Sequence, residues 1–565
     1  MKLVKSLLLG SAAGLTVVAG AQAADLPVKA AVPVEFVKVC TAHGAGFFYI
    51  PGTDTCLRIS GRARFQATYL QNYFRGTGNN GGDLMGYQGL GRFALDARTS
   101  TAYGTLRSFI RFDLAYGTGP FLASGTQLRG GNAIPSLGVD TFGRGLTSVL
   151  IDKAFIQFAG FTAGRAASFF DFYAHDFELI GGSLGSDVPS TNLLAYTATF
   201  GNGFSATLSV EDPLFRRTPI YGNGTNTNAF SQFVAFTPGS GNFAEVLGTD
   251  ALGRPIVADV DVIQRSRMPD FVGALRYDSA WGSAQVSAAV HEINVGLASP
   301  NVRAGYLTPT PGTGVLAFGN SFAAASIGAT APRPSNEYGW AVQGGVKINL
   351  PFIAAGDTLY LQGSYGVGAQ RYTGLSAWNG SFGSNFPVVA GGTLNNWFSD
   401  AVVDPLTGRL DLSTSWTVVG SFLHYWSPEW RSAFFGSYGE MSFGKTSRAN
   451  VGLVNGILGG SVGTNLPSPT NPAFGFSGIL RDTNLLVAGG SLIWSPVRDL
   501  DIGVEGVYTR AALASGRTVD LNKAPGQVAT GVNAAGQPIN AVGAILPTTS
   551  STDTFQVRMR VQRDF

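Results

Sequence analysis

Apolar and polar residues alternate strictly along Thr554–Phe565, TFQVRMRVQRDF. Phe555, Val557, Met559 and Val561 share one face of an extended strand, and Gln556, Arg558, Arg560 and Gln562 share the other. A soluble edge strand can carry this pattern, with its apolar face on a core. The length of the run and the aromatic Phe565 fit better the stave that closes a barrel with lipid outside and water inside. Residues 57–70 repeat the pattern: Leu57, Ile59, Ala63, Phe65, Ala67 and Tyr69 alternate with Arg58, Ser60, Arg62, Arg64, Gln66 and Thr68, and Gly61 is the one gap on the apolar face. Weaker versions predict strands near 90–100, 103–116, 149–159, 161–167, 193–200, 204–211, 269–277, 283–292, 338–348, 358–366, 415–426, 430–438, 483–494 and 500–510, sixteen with the first and last.

The connections alternate too. Short links are expected around Gly160, Gly201-Asn202-Gly203, 278–282, Ser427-Pro428-Glu429 and 495–499. Long polar, glycine-rich links occupy roughly 71–89, 117–148, 168–192, 212–268, 293–337, 367–414, 439–482 and 511–553. Tight turns at one end and long loops at the other describe an up-and-down meander, and an even strand number puts both chain ends on one side. A β-sandwich mixes turn lengths at both ends and needs a denser apolar core. Trp281, Trp426, Trp430 and Trp494 gather at the short links, where an amphipathic ring suits a membrane–water boundary.

Composition sharpens the class. Only 13% of residues are charged and 77 are Gly, against roughly 25% and about 7% in soluble domains. No run approaches the 18 or so apolar residues of a spanning helix, so hydrophobicity is dispersed at alternate positions. The start, Met1-Lys2-Leu3-Val4-Lys5, then an apolar run to about Ala19 and Ala21-Gln22-Ala23, reads as a secretory signal cut after Ala23. The expected division is a signal peptide at 1–23, an aqueous lead-in at 24–56 and a barrel at 57–565. The formal charge of +3 falls to +1 without Lys2 and Lys5, which gives no argument for nucleic acid. Cys40 and Cys56, in an exported chain, are expected to form a disulfide, a metal pair or two free thiols being the alternatives.

The polar faces of the early strands are rich in arginine. Parity sends Arg58, Arg62 and Arg64, then Arg92, Asp96 and Arg98, then Arg107, Arg111 and Asp113 inward, with Arg165 following near the end of the fifth strand. Charges facing lipid at mid-depth would cost about 2–4 kcal/mol each. The third long loop, SFFDFYAHDFELIGGSLGSD, supplies acids (Asp171, Asp176, Glu178, Asp187) and five rings (Phe169, Phe170, Phe172, Tyr173, Phe177). Five rings suit a loop folded against an inner wall. Acids facing arginines across a narrow gap would set a transverse field at the waist.

The segment VCTAHGAGFFYIPGTDTCLRISGRARF (Val39 to Phe65), after a short exported lead-in, resembles the opening of the alphaproteobacterial porin family. The strand grammar and Phe565 extend the likeness over the expected mature chain, to the sixteen-stranded general-diffusion porins of Gram-negative outer membranes. The resemblance implies a homotrimer among lipid and lipopolysaccharide, passing small hydrophilic solutes and ions, with no cofactor and no catalysis. It also implies that the third loop forms an eyelet, here Arg62, Arg64, Arg98, Arg107, Arg111 and Arg165 opposite Asp171, Asp176 and Glu178. The PEFGG-type loop motif of enterobacterial porins is absent.

Enzyme signatures are weak. Gly181–Gly185 and Gly459–Gly463 both spell G-x-S-x-G, but neither sits between a buried strand and a helix. His43, His175, His291 and His424 have no metal spacing. A substrate-selective channel for sugars or anions is the alternative, with Trp378, Phe382, Phe386, Trp397 and Phe398 as rings for a pore ladder. A barrel enzyme or adhesin is a more distant one.

Overall fold

The computed structural model describes residues 38–70, 85–118, 145–188, 190–218, 220, 242–249, 255–261, 264, 267–294, 304–309, 316–318, 336–375, 399–404, 406–457, 469–478, 480–520, 523–524 and 527–565. The expected signal, residues 24–37 of the lead-in and the rings of 378–398 lie outside these residues.

Sixteen strands form one antiparallel barrel: β1 (Thr55–Leu70), β2 (Met85–Thr101), β3 (Gly104–Thr118), β4 (Gly145–Phe158), β5 (Phe161–Ala166), β6 (Thr191–Gly201), β7 (Phe204–Glu211), β8 (Asp270–Ser279), β9 (Gly282–Ile293), β10 (Glu337–Asn349), β11 (Thr358–Val367), β12 (Thr414–Tyr425), β13 (Trp430–Ser442), β14 (Thr483–Val497), β15 (Leu500–Leu513) and β16 (Ser551–Asp564). Each pairs with its sequence neighbour, and β1 pairs with β16 from Arg62↔Asp564 to Leu70↔Gln556, so this sheet has no free edge. Closure satisfies every strand's backbone within the sheet, the condition for spanning hydrocarbon. Among the described residues no helix is long and apolar enough to cross a membrane.

The burial pattern is inside-out. On β1 Phe65 is 46% exposed while Gln66 is 3% exposed, and on β16 Met559 is 46% exposed while Arg558 is 1% exposed. Apolar side chains on the outside and polar ones within are what a lipid-facing barrel requires. Trp281, Trp426, Trp430 and Trp494 are solvent-accessible beside the tight turns, and Trp430 stacks on Trp494 at 5.8 Å. They form an aromatic girdle at that rim.

Turn chemistry explains the tight end. Ala159-Gly160 and Asn202-Gly203 are two-residue links with positive φ at both positions (49° and 86°, 50° and 88°). That is the primed hairpin geometry matching strand twist. Two further short links, Ala102-Tyr103 and the 350–357 turn, complete the series. The gap at Gly61 also has a cause. Its N–H donates to the Phe565 carbonyl at 2.9 Å, and a Cβ there would sit 2.3 Å from the Phe565 ring.

The chain divides into Met1–Leu57 and Arg58–Phe565. In the first, Cys40 and Cys56 are joined by a disulfide, as their spacing and exported context led one to expect, and both are buried with Phe47. Phe48–Tyr49 pairs with Cys56 and Leu57.

The lumen is not uniformly polar. Inward positions of β13–β15, including Phe435, Met441, Leu485, Val487, Val507 and Ala511, are apolar and buried. They pack with Ile180 and Leu184 of the third loop, Val402 of a short hairpin (Ala401–Val403 with Leu410–Leu412) and Val451 of helix α1 (Lys445–Ile457). A loop-borne core thus fills that side of the bore.

Candidate functional site

The third loop, 167–190, runs from β5 along the inner wall instead of standing in water. Ser287 of β9 and Gln343 of β10 donate to the Phe170 carbonyl at 2.7 and 2.9 Å. Gln362 of β11 accepts from the Tyr173 N–H at 2.9 Å, and Ser437 of β13 accepts from the Leu184 N–H at 2.8 Å. Glu505 of β15 accepts from Leu179 and Ile180 N–H, each at 2.7 Å, while Arg558 and Arg560 of β16 donate to the Leu179 carbonyl. The rings do the apolar part. Phe170 packs with Val272, Ala289, Ala341 and Tyr372, and Phe172 and Tyr173 pack with Tyr360 and Val419.

Two of the loop acids are spent on folding the loop. Glu178 is buried and accepts from the Gly182 and Ser183 N–H groups (2.8 and 3.0 Å), from the Tyr173 hydroxyl (2.9 Å) and from the Ser183 hydroxyl. Burial alone would raise its pKa; His175 and the Ser183 donors outweigh that and hold it below the ordinary glutamate value. Tyr173, buried beside Glu178, is pushed well above the usual phenol range. Asp171 pairs with Arg216 at 2.8 Å, and the same guanidinium donates to Ser168 and Ser186 while lying 4.2 Å over the Tyr372 ring. Burial would lower the Arg216 pKa, but Asp171, Tyr372 and Glu211 raise it, so it remains a cation. Asp176 alone of the three is exposed, with Tyr360 donating to it at 2.9 Å.

The arginines sit on the β1–β4 wall with acids of their own. Arg62 forks onto Asp564, and Arg64 donates to Gln562 at 2.9 and 2.7 Å. Arg92 forks onto Asp113 at 2.7 Å, and Arg111 reaches Asp152. Arg98 and Arg107, cross-strand neighbours, both fork onto Asp96. Arg165 departs from the inward expectation. Register pairs it with Ala154 and Asn192, on the face of Phe161 and Ala163, at the long-loop end of β5. There it bends to donate to the Ile151 carbonyl at 2.7 Å and lies 5.3 Å over Phe215. Along β5, Thr162 is buried and Phe161 exposed, and alternation puts Arg165 with Phe161. Parity correctly sends Arg558 and Arg560 inward; Arg216 and Glu505 lie beyond the set that alternation and loop position single out. Each takes its role from a contact remote in sequence.

The G-x-S-x-G serine comes close to a hydrolase geometry. Ser183 Oγ is 3.0 Å from His175 Nδ1, and His175 Nε2 is 3.8 Å from Asp187. Ser183 is fully buried and its hydroxyl donates to Glu178, so no substrate carbonyl can reach it. Among the described residues no cluster of His, Cys, Asp or Glu is arranged for a metal.

A porin-subfamily model matches residues 25–527. The chain belongs to the porin subfamily. Among curated relatives, porin Omp2b of Brucella suis is 34% identical over 289 residues, and porin Omp2b of Brucella abortus (strain 2308) is 35% identical over 292. Both matches cover 50% of this chain and 64% of the relative. Among solved structures, the outer-membrane channel DcaP of Acinetobacter baumannii aligns with a TM-score of 0.47 at 13% identity, over 92% of this chain and 99% of that one. This porin is a protein of the Gram-negative outer membrane.

Proposed function

We propose that this porin passes small hydrophilic solutes and ions by diffusion through a water-filled bore whose waist lies between the third loop and the β1–β4 wall. The observation that carries this reading is the division of the lumen: loop rings and apolar side chains occupy the β8–β15 side, while guanidinium groups line β1–β3. Arg62, Arg64, Arg98, Arg107 and Arg111 form one side of the waist and Asp176 the exposed acid of the other. Asp171 and Glu178 serve it indirectly, by holding the loop. A hydrated solute passes where fixed charges replace part of its water, and an apolar one sheds water without a partner. Residues 1–23 act as a removed leader and 24–56 as a lead-in to the barrel. Homotrimers in lipid and lipopolysaccharide are the working assembly.

Liposome swelling with solutes of graded size tests the reading. Uptake rates should fall steeply with solute size, and planar bilayers should show discrete conductance steps. Membranes that stay silent with folded barrel incorporated would end it.

A further inference from the structure

One carboxylate closes the base of the third loop. Asp171, near the loop's start, accepts from the Val188 N–H at 2.5 Å and from the Ser186 hydroxyl, both near its end. The cation on that carboxylate belongs to a different loop. Arg216 comes from the segment after β7 and is 1% exposed. Its Nη2 donates to Asp171 and Ser168 at 2.8 and 2.9 Å, and its Nη1 donates to Ser186 at 2.6 Å. The same guanidinium lies 4.2 Å over the Tyr372 ring and 5.5 Å over that of Phe170.

Arg216 is in turn held from behind. Asp212 accepts from the Leu214 N–H at 2.9 Å and caps a single 3-10 turn, Pro213–Phe215, which Arg216 ends by donating its N–H to the Pro213 carbonyl at 2.9 Å. Two residues on, the Thr218 N–H donates to Asp400 Oδ2 at 2.9 Å. The other oxygen, Asp400 Oδ1, accepts from the Gln370 N–H at 2.9 Å, two residues before Tyr372. Tyr372 is the ring under Arg216, and its hydroxyl donates to Asp270 of β8 at 2.6 Å. The contacts run in a closed circuit: Arg216, Thr218, Asp400, Gln370, Tyr372 and Arg216 again. Asp400 is fully buried at the foot of the Ala401–Val403 hairpin, and the Gln264 side chain donates to it at 3.2 Å. A buried carboxylate that binds backbone N–H groups of two loops, one on each oxygen, fixes their spacing. None of these hydrogen bonds of Asp400 reaches the third loop.

We propose that Asp400 is a positioning residue for the waist. By fixing the 212–218 and 370–372 segments against each other it sets Arg216 on Asp171, so two other long loops help determine where the third loop stands. The bearing on permeation rests on the diffusion reading above; the clamp itself does not.

The test is hydrogen exchange, read by mass spectrometry, on peptides spanning 167–190 in the folded full-length protein in detergent. Asp400→Asn, whose amide accepts at one end only, should speed exchange there about tenfold, the scale of one charged hydrogen bond lost. Arg216→Gln should do at least as much. Arg216→Lys keeps the charge on Asp171 without the fork and should fall between Arg216→Gln and wild type. The Asp400→Asn/Arg216→Gln double variant should match Arg216→Gln alone, because Asp400 acts through Arg216. Gly61→Val, which strains the barrel seam, controls for general destabilisation: it should lower thermal stability and leave exchange at 167–190 unchanged. Wild-type exchange in a folded Asp400→Asn would overturn the proposal, as would additive effects in the double variant. In planar bilayers Asp400→Asn and Arg216→Gln should give larger and more broadly spread conductance steps. Faster exchange with conductance identical to wild type would overturn the link from the clamp to the waist. Faster exchange with membranes silent for every preparation, wild type included, would keep the clamp and remove the diffusion reading.

Discussion

At the scale of single residues, the loop acids show how a charge can serve a channel without facing it. Glu178 closes the Gly182–Ser183 turn through backbone and hydroxyl donors. Glu178→Gln should loosen that turn by about 1–3 kcal/mol, because an amide cannot accept at both ends. Noisier open-channel current at neutral pH is the readout. The sign of the pH dependence follows from its lowered pKa. A depressed carboxyl contributes its full stabilisation above the unfolded value of about 4.3 and loses it only as pH falls through the lower folded value. The quiet state of wild type should therefore persist until pH falls below the ordinary glutamate range, while Glu178→Gln is noisy throughout. A wild-type transition centred near pH 6 would refute this. Arg165 gives the opposite lesson. It is a cation on the outer parity, tolerated because it lies at a strand end where its side chain bends to a carbonyl and an aromatic face.

At the scale of the element, each strand is read by which face meets which solvent. Val286 is 62% exposed on the outer face of β9. Val286→Arg should cost about 2–4 kcal/mol if that point lies at mid-depth, measured as a lowered unfolding midpoint in lipid bilayers. At the seam, Gly61→Val would meet the Phe565 ring and the Arg92 carbonyl, 2.3 and 2.8 Å from the new Cβ. Overpacking of this kind costs about 1–3 kcal/mol, so a drop in thermal stability in detergent is expected, partly relieved by Phe565→Ala. The strands were legible because alternation survives wherever both faces differ, as in β1 and β16. The loop's docking was legible from its five rings, and the disulfide from two cysteines in an exported chain. The partners of the loop were not. Glu505 stands alone in β15, and nothing around it in sequence signals that it holds Leu179 and Ile180, more than 300 residues earlier in the chain. Apolar inner faces on β13–β15 were likewise hidden, since alternation marks a change of polarity and β14 has little.

At the scale of the molecule, the bore is set by how firmly the loop stays on its wall. Glu505 holds two N–H groups, and Arg558 and Arg560 hold the carbonyl between β15 and β16's inner face and the loop tip. Glu505→Ala leaves those N–H groups without an acceptor, at about 1–3 kcal/mol each. Larger and more variable single-channel conductance should result, with a higher size limit in liposome swelling; unchanged conductance would mean that the rings alone fix the loop. The apolar inner faces of β13–β15 have one more consequence. Sliding an arginine-bearing strand by a single position would thrust guanidinium groups into hydrocarbon, whereas β14 could slip with little penalty because both its sides are oily. The alignment of the whole cylinder is therefore dictated by its cationic quarter, and the greasy quarter takes its alignment from neighbours already in place.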